Sequence, residues 1–184
     1  MLSVNHISFY YSKSKIVLND FNFSLNQGEH LCVMGESGCG KSTLLRTLTN
    51  VQNPLNGSIE INQKNIIEYS AVDLAKVLSL VLTEQIASKN LSVFELTALG
   101  RQPYTNWVGN LSGNDIEVVN NALKQTNLLD LKHKKCFELS DGQLQKVMIA
   151  RALAQDTDLI ILDEPTTHLD MYHKAYILKL LQKL

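Results

Sequence analysis

The nine residues Gly35-Glu-Ser-Gly-Cys-Gly-Lys-Ser-Thr43 constrain this chain more than any other stretch. They fit GxxxxGK[ST] at Gly35, Gly40, Lys41 and Ser42. Before them runs His30-Leu-Cys-Val-Met34, an apolar stretch that reads as a short buried strand, and after them a helix is predicted from Lys41 to about Asn50. Glycines at 35, 38 and 40 let the backbone curl so that successive N–H groups face inward onto phosphate oxygens. The following helix adds the positive end of its dipole. In such a loop Gly35, Glu36, Ser37, Gly38, Cys39 and Gly40 wrap the phosphates, Lys41 reaches the β- and γ-phosphates, the Ser42 hydroxyl ligates Mg2+, and Thr43 touches the α-phosphate. The glycine order is not GxGxxG, which disfavours a dinucleotide fold. Alone, the loop indicates a nucleoside triphosphate site and not what that site drives.

The rest of the chain supplies the frame. At 184 residues there is enough chain for one well-cored domain, or one domain with a small subdomain. Leu2 to Tyr10 alternates apolar and polar residues with a slip between Val4 and Ile7, and Phe21 to Leu25 alternates cleanly; both read as strands. Gly57 opens a short strand, Ser58 to Asn62, and Leu78 to Leu82 reads as another. Helical spacing runs from Val93 to Leu99 and from Asn114 to Asn127, where Ile116, Val119 and Leu123 share a face and Ser112 with Asp115 resembles a capping box. A mostly helical insertion is expected over roughly 84–140, between core segments 1–83 and 141–184. A helix from about Gln143 to Gln155, a solid apolar strand Leu159 to Leu162 and a last helix from Met171 complete an α/β core with parallel strands.

Near-neutral charge removes the usual driver of nucleic-acid binding: 17 basic and 18 acidic residues give a net charge of −1. Cys32, Cys39 and Cys136 fit no CxxC spacing and read as free thiols in a reducing compartment, with Cys32 and Cys136 buried. No basic stretch followed by an apolar run opens the chain, and no stretch approaches the roughly 20 apolar residues of a membrane span. The expectation is a soluble protein that meets a membrane only through a partner.

Two further motifs give the loop its context. Leu159-Ile-Ile-Leu-Asp163-Glu164 delivers two carboxylates at the end of a buried strand, where an open α/β sheet places its ligands. Asp163 suits the Mg2+ shell and Glu164 the polarisation of an attacking water. Leu139-Ser-Asp-Gly-Gln143 offers a hydroxyl and a close backbone approach at a helix start. It resembles the LSGGQ signature of ABC ATPases, and QLQKVMIARALAQ after it resembles the helix that follows the signature. Asp141 departs from the family's glycine, and a carboxylate there repels phosphate unless it points away.

The resemblance covers the whole chain. It implies ATP and Mg2+ as ligands, and Tyr11, with Tyr10 as a neighbouring candidate, as the aromatic that stacks on adenine. Ser140, Gly142 and Gln143 would cap the nucleotide of a second copy. Thr167-His-Leu-Asp170 resembles the D-loop that crosses the dimer interface through Asp170, with His168 at a variable position. Thr83-Glu-Gln85 stands at the Mg2+-sensing Q-loop, filled by Gln85 or replaced by Glu84. The family's switch histidine falls roughly thirty residues past the catalytic glutamate. This chain has twenty residues after Glu164, and His173 comes too early, on a predicted helix. The C-terminal part of the usual domain is therefore expected to be missing: either the chain is truncated or it hydrolyses ATP poorly.

Ser92-Val-Phe-Glu-Leu-Thr-Ala-Leu-Gly-Arg-Gln-Pro-Tyr104 resembles the corresponding stretch of ATPases serving ferric-siderophore, haem and cobalamin importers. It implies a homodimer working with transmembrane permease subunits at the cytoplasmic face of the cell membrane, without inserting into it. Trp107 reads as subdomain core. Non-transport ABC proteins of translation or DNA maintenance fit less well, because neither heptads nor a basic face lie between loop and signature. A nucleotide-binding module without turnover is the other alternative.

Overall fold

The computed structural model describes residues 2–12, 15–36, 38–82, 89–167 and 169–183, the side chains of 10–17 excepted. The chain forms two compact units, Met1–Leu78 and Ser79–Leu184.

The first unit contains strands β1 (Leu2–Ser12), β2 (Lys15–Leu25), β3 (Asn56–Ile61) and β4 (Lys64–Asn65), with helices α1 (Lys41–Leu48) and α2 (Ala71–Val77). The strands pair antiparallel in the order β2-β1-β3-β4. The slip in the sequence pattern is a real irregularity: the β1–β2 register shifts between Val4 and Ile7, with His6 at φ 53°. It returns Ile7 and Phe9 to the face held by Leu2 and Val4, and all four are buried. Opposite the bulge lies Gly57 at φ 86°, where a Cβ would overlap the Asn5 and His6 carbonyl region. Both the left-handed backbone and the overlap oppose a side chain, so Gly57→Ala should cost about 2–4 kcal/mol. Urea unfolding measures this, and an unshifted midpoint would show that the strands can separate freely here.

Helix α1 buries Leu44, Thr47 and Leu48, the i, i+3, i+4 face of an amphipathic helix. Helix α2, unanticipated from the sequence, starts at the Ser70 cap, whose Oγ accepts from Asp73 N.

The strand expected before the phosphate loop is not found. His30 to Met34 forms no strand, and Leu31, Val33 and Met34 are 51%, 39% and 87% exposed. A run apolar on both faces is buried only when strands flank both edges and layers cover both faces; neither described sheet includes it. Cys32, expected buried, is exposed for the same reason, as is Cys39, while Cys136 is buried as expected.

The second unit is helical around a small sheet of β5 (Leu78–Val81) and β6 (Leu159–Leu162). Its helices are α3 (Val93–Ala98), α4 (Gly113–Gln125), α5 (Asp141–Ala154) and α6 (Met171–Leu181). Capping boxes start α3 at Ser92/Glu95 and α4 at Ser112/Asp115, the second as anticipated. Val93, Leu96, Val119, Leu123, Val147 and Ala150 interlock helices α3, α4 and α5. Ile116, predicted on the same face as Val119 and Leu123, stands at its edge and is 42% exposed. Helix α5 also packs a second face, with Ile149 against Leu169, Ile177 and Leu180.

The Ser92–Tyr104 stretch ends in a clamp on the C-terminus of α5. A Cβ on Gly100 would run into the Arg151 carbonyl and lie 3.1 Å from Gln155 N. Arg101 Nε pairs with Asp115 Oδ1 at 2.9 Å, Arg101 Nη1 donates to the Ala154 carbonyl at 3.0 Å, and the guanidinium lies over the Tyr104 ring. Tyr104 Oη donates to the Gln155 carbonyl. These three residue types therefore serve packing within the chain. Trp107, read as core, is 97% exposed. It rides the tip of a turn closed by Gly109 N donating to Asn106 O, beyond the reach of the helical core.

Candidate functional site

The phosphate loop lies in the first unit. Gly38 and Gly40 hold φ 79° and 103°, conformations that favour glycine, and Gly40 is the N-cap of α1. A Cβ on Gly35 would come within 2.6 Å of Cys39 Sγ, so the loop closes tightly on itself there. Cys39 N donates to Glu36 O at 3.3 Å. Lys41 Nζ donates to the Gly35 and Glu36 carbonyls, both at 2.9 Å, which folds the ammonium over the loop. Ser42 and Thr43 occupy the first turn of α1. Left-handed glycines, a lysine above them and a helix start beyond are the donor set that a polyphosphate needs. Ser37 lies outside the described residues, as do Glu84, Gln85 and His168. Tyr11 sits on β1, and its side chain is likewise outside the description.

The carboxylates lie in the second unit. Asp163 follows β6 directly, its N–H donating to the Val81 carbonyl at 2.9 Å. Glu164 is exposed and takes a left-handed φ of 46°, rare for glutamate. Thr167, read from the sequence only as the start of the D-loop-like run, holds it twice: Oγ1 donates to Glu164 Oε2 at 2.9 Å and N to Glu164 O at 3.0 Å. Among the described residues, no group of three or more His, Cys, Asp or Glu could hold a metal. Where phosphates and waters supply most of the oxygens, Mg2+ takes as little as one or two carboxylates from a protein, so no three-residue cage is required.

Ser140 caps α5: its Oγ accepts from Gln143 N at 3.3 Å, and Gln143 Oε1 accepts from Ser140 N at 3.1 Å. The same residues read as a phosphate cap are thus also a helix start. Asp141 is the first helical residue and exposed, where a carboxylate complements the helix dipole. That explains why the helix accommodates aspartate at this position. Gly142 is buried, and His173 occupies the place of its missing side chain. Asp170 caps α6, accepting from His173 N at 2.8 Å, with His173 Nδ1 2.9 Å from the same Oδ1. Those hydrogen bonds hold the Asp170 carboxyl below its ordinary range. The sequence signal for His173 is its i, i+3 spacing from the helix-starting Asp170.

Comparison with known proteins matches this architecture. The ABC transporter family matches residues 18–167. The probable siderophore transport system ATP-binding protein YusV of Bacillus subtilis is 41% identical over 169 residues, covering 92% of this chain and 62% of that protein. An inward-facing ABC transporter described as metal-chelate type superposes with a TM-score of 0.85 at 35% identity, covering 100% of this chain and 67% of that one. The ATP-binding cassette MJ0796, dimeric and bound to ADP and Pi, gives 0.82 at 28% identity, covering 100% and 82%. The chain spans between 62% and 70% of the length of such curated relatives.

Proposed function

Because the chain belongs to the ABC transporter family, we propose that it binds MgATP and hydrolyses it as the energising subunit of a membrane importer. The observation that carries this reading is the phosphate loop, with Gly38 and Gly40 left-handed and Lys41 folded above them. Gly35 to Gly40 wrap the phosphates, Lys41 neutralises the β- and γ-oxygens, and Thr43 touches the α-phosphate. Ser42, Asp163 and Gln85 would hold Mg2+, which would supply charge neutralisation on the phosphate oxygens. Glu164 accepts the proton of the attacking water, and Tyr11 stacks on adenine. Ser140, Gly142 and Gln143 cap the nucleotide of a second copy, with Asp170 at the interface; the dimeric cassette with ADP and Pi supports the pairing.

The likeness to a siderophore transport ATPase and to a metal-chelate type transporter supports an iron-siderophore or related metal-chelate cargo. Among the described residues no helix is long and apolar enough to cross a membrane. Peripheral attachment to transmembrane permease subunits at the cytoplasmic face is part of the same proposal and rests on the likeness to a transport-system ATP-binding protein.

Phosphate release in the presence of the co-purifying permease, beside a Lys41→Ala control, tests the proposal. Release well above the control is expected. Tight ATP binding with release at the control level would instead mark a nucleotide-binding module without turnover.

A further inference from the structure

Gly142 lies in the first turn of α5 yet is buried, because the His173 ring fills its side-chain space. A Cβ there would come within 2.8 Å of His173 Cγ and 2.9 Å of Nε2. The ring is fixed in turn. Its Nδ1 lies 2.9 Å from Asp170 Oδ1, its own N–H donates to that oxygen, and the Tyr172 ring meets it edge-on at 5.6 Å. Behind it, Ile177 and Leu180 seat α6 against Ile149 of α5. A flat ring pressed on bare backbone transmits displacement, because no flexible side chain lies between to absorb it.

The Ser140/Gln143 box uses the amides of those two residues, and the Asp141 and Gly142 N–H groups are the remaining ones of the first turn. These are the groups whose direction the ring sets. We propose that His173 is a positioning residue, tying Asp170 to the backbone of the signature turn. A shift of Asp170 at a dimer interface is then felt at the turn that caps the phosphates. This inference rests on the signature reading proposed above, in which Ser140–Gln143 faces the nucleotide of a second copy.

The test uses the Glu164→Gln protein, whose ATP-dependent dimer is followed by light scattering. Binding of a fluorescent ATP analogue by the phosphate loop and the melting temperature are measured in parallel. With His173→Ala added, the ATP concentration for half-dimerisation should rise at least tenfold while analogue binding stays within twofold. His173→Phe keeps a ring and the backbone N–H to Asp170 but loses the Nδ1 contact, and should give an intermediate rise of about threefold. A half-point within twofold of the parent for His173→Ala overturns the proposal, whether or not the melting temperature falls. If His173→Ala does not fold, His173→Phe decides: a half-point equal to the parent's overturns the tie through Asp170. A Glu164→Gln parent that stays monomeric with ATP bound overturns the signature reading itself, and this inference with it.

Discussion

Glu164→Gln should lower phosphate release by about 10²–10⁴-fold, the range that a positioned general base contributes. The amide keeps the shape of the carboxylate and can still accept from Thr167 Oγ1, so the left-handed turn at φ 46° should survive. What the amide lacks is the basic oxygen proposed to take a proton from water. Single-turnover phosphate release measures the loss, and the ATP-dependent dimer should accumulate because it no longer breaks down. A rate within a few-fold of the unmodified protein would remove Glu164 from the role of base. The strained φ favours the assignment, since non-glycine residues held left-handed concentrate where geometry is functional.

Arg101→Ala carries the other large effect, an expected loss of about 3–5 kcal/mol, because it strands a buried carboxylate. Arg101 and Asp115 side chains are 5% and 7% exposed, so water cannot replace the missing guanidinium. The same substitution removes the donor to the Ala154 carbonyl at the end of α5. Urea unfolding of the intact chain measures the loss, and the double variant Arg101→Met/Asp115→Leu should recover most of it. A single variant within 1 kcal/mol of wild type would show that Asp115 rehydrates.

The acid limb of stability gives an independent reading of the same pair. Hydrogen bonds from Ser112, chiefly, and then from Arg101 hold the Asp115 carboxyl below its ordinary value of 3.8. A depressed folded-state value means stability that is present above about pH 4 and is lost as pH falls through the folded value. Asp115→Asn should therefore be less stable at neutral pH and flatter below pH 4. A wild-type acid limb that does not change on this substitution would assign the acid sensitivity to other carboxylates.

The elements that were legible in the sequence share one property: their signals are local. The Val4/Ile7 slip, the Ser112/Asp115 box and the left-handed glycines of the loop each depend on residues within a few positions. The misread elements depend on what lies across space. Whether His30–Met34 is buried depends on neighbours at both edges, and whether Trp107 is core depends on where its turn points. The Gly-Arg-Gln-Pro-Tyr run resembles that of an importer subgroup, but its intramolecular role was not legible. Its partners, Asp115, Ala154 and Gln155, are distant in sequence.

The sequence by itself determined the chemistry on offer: a phosphate loop, two carboxylates after an apolar strand, and a serine-glycine helix start, in an order that resembles an ABC ATPase. Residue type and spacing suffice for that, because backbone conformation and donor inventory are local properties. Only the tertiary structure decided which groups steady which. Thr167 holds Glu164, the clamp from Gly100 to Tyr104 closes on the end of α5, and His173 fills the space beside Gly142. Such contacts form between elements packed together, and a linear pattern does not encode the distance between two helices.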